Sequence, residues 1–341
     1  MDCRITKDRF KNMLAYDWLK IILSIVAVCL IWSLLFTMTA TRITTGQDFY
    51  LVVYDGVINN SANSSQDILD KIKKSDLSYD VLNDTVMSVT SAGSYSASYM
   101  LNLRLTTYEG DVMLIPSGRN GETAADSSES VSESASESDS DDDATDIESL
   151  INNGYMYSFT ELLSDAKDYC TRNGFVTVND DGTYNFNESA MENYFRNVRI
   201  KRNSSYKKMY RNEAKIAEDV PNEISRIKAV WENTLFVENA VKEAKEADND
   251  FLYYFTPYSV DNDNNKTYKQ NDSYGIDLGK LNKGADSDIM KVWYVSDGGD
   301  SYTAEGLLLT VFDFTSKQPD LQYETISFLR YIIENYSVYG K

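Results

Sequence analysis

The sequence contains no histidine among its 341 residues, and histidine is the commonest catalytic base and metal ligand near neutral pH. A Ser-His-Asp triad and a histidine metal site are therefore excluded. Chemistry must come from carboxylates, hydroxyls, aromatic rings and basic groups. Catalysis by paired carboxylates needs two acids about 5 to 9 Å apart, and the sequence shows no such pair. We therefore predict a protein that is not an enzyme and that needs no cofactor.

Polar side chains follow two apolar segments that read as buried strands. Asp55 follows the run FYLVVY, and Ser117 follows DVMLIP. Because ligands of open α/β sheets bind beyond the carboxyl ends of strands, Asp55 and Ser117 are candidate ligand-binding residues. Turn formation by Asp-Gly and Pro-Ser-Gly explains the same residues without a ligand, and this alternative stays open.

A third candidate strand, DIMKVWYVSD, ends in aromatic and hydrogen-bonding side chains. Such side chains suit a sugar or a peptide, and here they are Trp293, Tyr294, Ser296 and Asp297. Since side chains alternate along a strand, either Trp293 or Tyr294 is expected to point into the core instead.

Oxygen-bearing side chains with the spacing of a calcium loop occur after residue 260. Positions 1, 3, 5 and 12 of an EF-hand-like loop match Asp261, Asp263, Asn265 and Asp272. However, Lys266 stands where the loop needs glycine, and flanking helices are not evident. The sequence favours a solvated Asn/Asp loop over a metal site.

Charge is distributed unevenly along the chain. The net charge of -20 argues against nucleic acid as a partner, because a nucleic-acid-binding protein must neutralise phosphates. Residues 122–148 contain eleven acids and no Lys or Arg. With so few apolar residues, the surrounding segment 119–148 is predicted to be an acidic, Ser-rich, disordered insert.

A basic run, RNVRIKRNSSYKKMYR, occupies residues 196–211 and contains seven Lys or Arg and no acid. One interpretation is the exposed face of a helix. The functional alternatives are docking of the acidic insert, or contact with anionic lipid or wall polymer. The candidate polyanion contacts are Lys201, Arg202, Lys207 and Lys208.

The elements that would carry these side chains alternate between strands and helices. The pattern predicts strands near 49–56, 84–90, 111–118, 250–258 and 288–297 and a hairpin over 175–186. It also predicts a long helix near 221–248 with Trp231 in the core, and closing helices near 304–314 and 321–336. This alternation predicts an α/β domain with a mostly parallel sheet and extra helices, built from residues 43–118 and 149–341.

Residues 21–41, IILSIVAVCLIWSLLFTMTAT, carry no charge. At about 1.5 Å per residue this run is long enough to cross a bilayer. Basic residues are concentrated in residues 1–20, which predicts a cytoplasmic tail and an extracytoplasmic main domain. We therefore expect a single-pass protein of the cell membrane, with the lipid bilayer as a partner through residues 21–41. A cleaved signal peptide is the alternative.

Several stretches resemble extracellular solute-binding proteins. LRLTTYEGDVMLIPSGRN followed by INNGYMYSFTELL resembles one part of these proteins, and YGIDLGKL followed by KVWYVSDGGDSYTAEGLLLTVFDF is similar to their final segment. YRNEAKIAEDVPNEISRIKAVWENTLFVENA looks like a segment of uncharacterised single-pass membrane proteins of Gram-positive bacteria. The resemblance implies a reduced, type 2 periplasmic-binding-like domain.

Two functions follow from these expectations. The first is a membrane-tethered extracytoplasmic protein that binds or senses a small solute without catalysis. The second is an interaction scaffold or transporter-associated accessory protein, whose degenerate cleft contacts another envelope protein. A pocket of aromatic and polar groups favours the first function, and a filled cleft with an exposed apolar patch favours the second.

Overall fold

The computed structural model describes residues 7–39, 48–54, 57–59, 67–71, 86–91, 97–117, 146–202, 204–247, 251–261, 265–281, 292–296, 302–314, 322–337 and 339. The chain forms two compact units, Met1–Arg42 and Ile43–Lys341. The predicted acidic insert lies almost entirely outside the described residues.

The first unit contains one helix, α1, over Lys7–Thr39. Within the part of the chain that the structure describes, no helix combines the length and the apolar character needed to cross a bilayer. The prediction of a transmembrane helix over residues 21–41, and with it the single-pass membrane localisation, is therefore wrong. The uncharged run is not a separate element, because it continues a helix that begins with Lys7, Asp8, Arg9, Lys11, Asp17 and Lys20.

The second unit contains a six-stranded sheet in the order β3-β1-β4-β13-β10-β7. The strands are β1 (Asp48–Val53), β3 (Val86–Ser91), β4 (Val112–Pro116), β7 (Leu252–Phe255), β10 (Asp272–Asp277) and β13 (Leu307–Val311). Strand β1 pairs in parallel with β3 and β4, whereas the other three pairings are antiparallel. The sheet is therefore mixed, and the prediction of a mostly parallel sheet is wrong.

Alternation along each central strand sends side chains to two separate cores. In β1, Leu51 and Val53 belong to one core and Val52 to the other. The same division separates Leu114 from Met113 in β4. Because both faces of the sheet are covered, these strands are nearly continuous apolar runs rather than alternating polar and apolar ones.

Helices cover the two faces of the sheet. The first core includes side chains of helical residues 67–71 (α2), α5 (Phe159–Arg172), α9 (Glu213–Glu246) and α10 (Gln322–Tyr336). The second includes those of α3 (Ala97–Thr107) and α4 (Ile147–Asn152). The sequence order of helices and strands thus builds a three-layer α/β domain.

Residues 304–314, predicted as a helix, instead contain the central strand β13. Every residue of β13 is buried. A short apolar run that is buried on all sides shows no period that distinguishes a strand from a helix. The error also explains the wrong sheet type, because β13 lies antiparallel to both β4 and β10.

The helical module, residues 169–235, is a second region of the same unit. It contains the hairpin β5 (Val176–Val178) and β6 (Tyr184–Phe186), then α6 (Glu188–Tyr194), a π-helix (Phe195–Arg199), α7 (Ile200–Arg202), α8 (Ser204–Met209) and the first part of α9. Its core includes Trp231, which confirms the core prediction for that residue. Helix α9 begins at Glu213, where Asn212 caps it, rather than near Pro221.

Two small β-structures complete the second unit. One is a three-stranded sheet of β2 (Val57–Asn59), β11 (Trp293–Ser296) and β12 (Tyr302–Thr303). The other is a hairpin of β8 (Tyr258–Val260) and β9 (Lys266–Tyr268). The three-stranded sheet begins where β1 ends, so it extends the fold at the carboxyl end of that strand.

Candidate functional site at the carboxyl edge of the sheet

The carboxyl ends of β1 and β4 form a switch point in the topology. The chain leaves β1 toward β3 on one side, whereas β4 lies on the other side of β1. Helix α2 packs on one face of the sheet and α3 on the opposite face. Ligand sites of open α/β sheets occur at such points. Strand β10 runs in the same direction as β4, so its carboxyl end lies at the same edge.

Ser117 follows β4 and contacts the turn before β13. Its backbone N–H donates to the carbonyl oxygen of Gly306 at 2.7 Å. Gly306 has a φ of +73°, and a Cβ at this position would lie 2.8 Å from Ser117 Oγ. The position therefore needs glycine both for its backbone conformation and for the space that the serine side chain occupies.

Asp277 ends β10 and places a carboxylate at the same edge. Asp277 Oδ1 accepts a hydrogen bond from Gly279 N–H at 3.1 Å, and the backbone N–H of Gly306 also donates to this carboxylate. Lys280 Nζ lies 3.6 Å from Asp277 Oδ2. Gly306 thus connects two strand ends, because its carbonyl bonds Ser117 and its N–H bonds Asp277.

Burial raises the pKa of Asp277 above its ordinary value. The positive charge of Lys280 and the backbone donors of Gly279 and Gly306 act in the opposite direction, but burial has the larger effect. No neighbouring carboxylate among the described residues contributes to the raised pKa of Asp277. A buried carboxylate whose charged form is destabilised is a recognised property of functional sites.

The three-stranded sheet carries the aromatic candidates. Trp293 is fully buried in the first core, so it is not available to a ligand. Tyr294 is half-buried and pairs with Ile58, which is exposed. Alternation therefore separates Trp293 from Tyr294 as predicted. Ser296 belongs to the same strand, but its side chain lies outside the described set.

This small sheet is joined to the carboxyl edge at both ends. Val57 N–H donates to Tyr54 O at 3.2 Å, directly after β1. Strand β12 ends at Thr303, three residues before Gly306. Tyr294 and Ser117 are thereby carried by elements that meet at one edge. The predicted candidates Asp55 and Asp297 lie outside the described residues.

The proposed calcium ligands are only partly described, because Asp263 lies outside the described residues. Both carboxylate oxygens of Asp261 accept hydrogen bonds from Asn265, at 2.9 and 3.1 Å. Asp272 belongs to β10 and accepts from Thr160 Oγ1 at 2.7 Å. Among the described residues, no group of three or more acids or cysteines is arranged to hold a metal ion.

The basic run divides into buried and exposed side chains. Arg199 is buried, and its guanidinium lies 3.4 Å from the carboxylate of Glu223, which Arg226 also approaches at 3.1 Å. Arg196 forms ion pairs with Glu192 and Glu213. By contrast, the predicted contacts Lys201, Lys207 and Lys208 are exposed, and so is Arg211. The side chain of Arg202 lies outside the described set.

Sequence reasoning missed two features of the second unit. Asp277 was overlooked as a site residue, although the stretch YGIDLG places an acid directly after an apolar strand, as at Asp55. The buried ion pairs around Glu223 had no sequence signal, since this acid belongs to a helix with many exposed charges. Near the ion pairs around Glu223, burial and the charge of Asp219 raise the pKa of the Tyr210 hydroxyl, which therefore stays protonated.

The geometry thus brings Ser117 and Asp277 to the carboxyl edge, places Tyr294 in the small sheet that follows β1, and assigns Trp293 to the core. Comparison with protein families, curated proteins and solved structures found no match to this chain. The likeness to solute-binding proteins therefore depends on the sequence stretches alone.

Proposed function

We propose that the chain is a non-enzymatic binding protein that takes a small polar solute at the carboxyl edge of its sheet. The observation that carries the proposal is the buried carboxylate of Asp277, joined to Ser117 through Gly306. Burying a carboxylate against an apolar core is unfavourable unless other interactions compensate. A buried acid at the same edge of the sheet as the topological switch point supports a role in binding.

The chemistry of this edge favours a solute with hydrogen-bond donors. The Asp277 carboxylate accepts hydrogen bonds, the Ser117 hydroxyl donates or accepts them, and the Tyr294 ring offers a face for stacking. A sugar or a small amine fits these groups. The net charge of -20 further favours a neutral or cationic solute over an anion.

A thermal-shift screen of the full-length chain against sugars, amino acids, short peptides, amines and cations tests the proposal. A solute at about 100 times its Kd should raise Tm by about 5 °C. Asp277→Asn and Ser117→Ala should reduce that shift. The exposed positions Asp168 and Ser164 on α5 offer matched controls, and Asp168→Asn with Ser164→Ala should retain it. A hit that binds Asp277→Asn and Ser117→Ala with unchanged affinity would contradict this site.

The alternative function, an interaction scaffold, is favoured by one feature of the β8–β9 hairpin. Val260 and Tyr268 are more than half exposed there, and exposed large apolar side chains are typical of interaction surfaces. No thermal shift with any solute, together with self-association that Val260→Ser and Tyr268→Ser abolish in analytical ultracentrifugation, would favour this function over solute binding.

A further inference from the structure

Several basic side chains in and beside the helical module have a carboxylate partner. Lys228 Nζ lies 2.5 Å from Glu188, and Lys167 Nζ lies 2.6 Å from Glu238. Arg196 pairs with Glu192 at 2.8 Å. The fold thus neutralises its basic groups where it brings an acid within reach.

Six described basic side chains of the module form no ion pair with a described residue, namely Arg172, Lys215 and four that lie close together in residues 201–211. Lys207, Lys208 and Arg211 are exposed and form no ion pair with any described residue, and Lys201 donates to the neutral side chain of Asn197 at 2.8 Å. We call Lys201, Lys207, Lys208 and Arg211 the basic surface. Because they lie within eleven residues of an acidic chain, their positive charges are concentrated and available to an anion.

The sequence contains an anionic segment that complements this surface. Residues 122–145 carry nine acids and no basic residue. An external polyanion must approach a chain whose net charge is -20, and general repulsion opposes that approach. A segment of the same chain is also repelled by the remaining acids, but its tether offsets that repulsion by raising its effective concentration to the millimolar range.

The length of the chain between Ser117 and Asp146 allows this contact. The 28 intervening residues have a contour length of about 90 Å, so the middle of the segment reaches about 45 Å from either end. A folded unit of about 300 residues is about 50 Å wide. Both ends of the segment belong to the same compact unit as the basic surface.

We infer that the basic surface is the intramolecular docking site of the acidic segment 122–145. The contact is a set of exposed ion pairs, so it weakens as salt rises. Docking leaves the basic surface unavailable to other anions. The inference uses none of the residues at the carboxyl edge and stands apart from solute binding.

Binding of a synthetic peptide with the sequence of residues 122–145 tests the inference. The full-length chain is compared with a variant in which this segment is replaced by a short Gly/Ser linker. At about 0.02 M salt the linker variant should bind the peptide at least about tenfold more tightly than the wild type, and about 0.5 M salt should abolish binding in both.

Charge substitutions locate the contact. In the linker variant, Lys201→Gln, Lys207→Gln, Lys208→Gln and Arg211→Gln together should weaken peptide binding by about tenfold or more, since each exposed pair contributes modestly. A matched control removes four exposed lysines outside the basic surface, Lys71, Lys242, Lys245 and Lys269, and should retain most of the binding. Equal losses in both variants would show general charge attraction and overturn the docking site.

Two further results would overturn the inference. The first is a linker variant that does not bind the peptide at low salt. The second is a wild-type chain that binds inorganic polyphosphate as tightly as the linker variant does, which would show a surface open to external anions.

If the fourfold variant does not fold, carbodiimide cross-linking of the wild type tests whether the acidic segment docks on the basic surface. Lys207 or Lys208 should cross-link to acids of residues 122–145, and the lack of such cross-links would contradict docking.

Discussion

The sheet core and the helical module of the second unit handle polar groups differently. The sheet packs apolar strands between two layers of helices, and its candidate polar site lies at the carboxyl edge. The helical module instead buries charge, because Arg199, Glu223 and Arg226 are all nearly inaccessible. It also contains aromatic rings packed edge to face, such as Phe175 against Tyr194.

The difference follows from backbone geometry. A strand between two neighbours satisfies its backbone through the sheet and projects side chains into two apolar layers. Charged residues of the six strands therefore occur only at strand ends, such as Asp272 and Asp277 of β10. In the module, the short helices α7 and α8 share a small hydrophobic cluster with α9. There, a long arginine side chain reaches a carboxylate on a neighbouring helix. The sheet therefore presents its functional groups at an edge, whereas the module uses some of its charges for internal packing.

The largest effect should come from the centre of the sheet. Leu309 in β13 is fully buried in the first core, so Leu309→Ala should lower the free energy of unfolding by about 4 kcal/mol through lost burial and a cavity. Urea unfolding followed by circular dichroism measures it. Leu103→Ala on the exposed face of α3 should cost less than about 1 kcal/mol. A similar loss at both positions would contradict the central placement of β13.

The buried charges of the helical module should give the next largest effect. Glu223→Gln leaves Arg199 and Arg226 without their shared carboxylate, and should lower the free energy of unfolding by about 3 kcal/mol. Glu192→Gln is the control, since Glu192 is partly exposed and pairs with Arg196 near solvent. Its cost should stay below about 1 kcal/mol. Equal values for the two variants would show that the Glu223 pairs are not desolvated.

Two glycines test the close contact between Gly306 and Ser117 at the carboxyl edge of the sheet. Gly306 and Gly182 both have positive φ, at +73° and +82°, but only the Cβ of Gly306 would meet a neighbouring atom within 4 Å. Gly306→Ala should cost about 2 kcal/mol and Gly182→Ala about 1 kcal/mol, because both gain backbone strain and one also gains a steric contact. Thermal unfolding of the two variants measures the difference, and an equal loss of stability would place Ser117 away from Gly306.

The smallest effect should be a pH dependence at Asp277. Its pKa is raised in the folded state from the ordinary value of 3.8. The folded protein then binds more protons than the unfolded one between the two values, so this group loses stabilising free energy as pH rises through the raised pKa. Asp277→Asn should remove this decline in stability with rising pH, and the exposed control Asp168→Asn should retain it. Urea unfolding from pH 3.5 to 7, compared with the wild type, measures the pH dependence of stability. A decline of the same size in Asp277→Asn and the wild type would exclude Asp277 as its source.

Predictions from the sequence succeeded where local pattern was sufficient. The apolar runs at β1 and β4, the turn of the β5–β6 hairpin at Gly182 and the core position of Trp231 all follow from periodicity and residue type. Prediction failed for β13, because a run buried on every side has no diagnostic period. It also failed for residues 21–41, where an uncharged run was treated as an element separate from the charged residues that precede it in α1.

The candidate site shows the same division. The sequence predicts Ser117 because it follows an apolar strand, and Tyr294 because it lies among aromatic and hydrogen-bonding residues at the end of another strand. Asp277 became a candidate only when the strand order placed the ends of β4 and β10 at one edge. No local sequence pattern shows that the ends of β4 and β10 lie at the same edge, since the direction of β10 depends on its pairing with β13.

The amino-acid sequence alone establishes the charge distribution, the absence of histidine chemistry, and the positions of the most regular helices and strands. The three-dimensional fold is needed to show which charges of one basic run are buried, as Arg199 is, and which are exposed, as Lys207 is. Composition and periodicity describe neighbours along the chain, whereas burial and pKa depend on neighbours in space. The partner of Arg199 is 24 residues away along the chain, and the packing of α9 against the π-helix brings the two together.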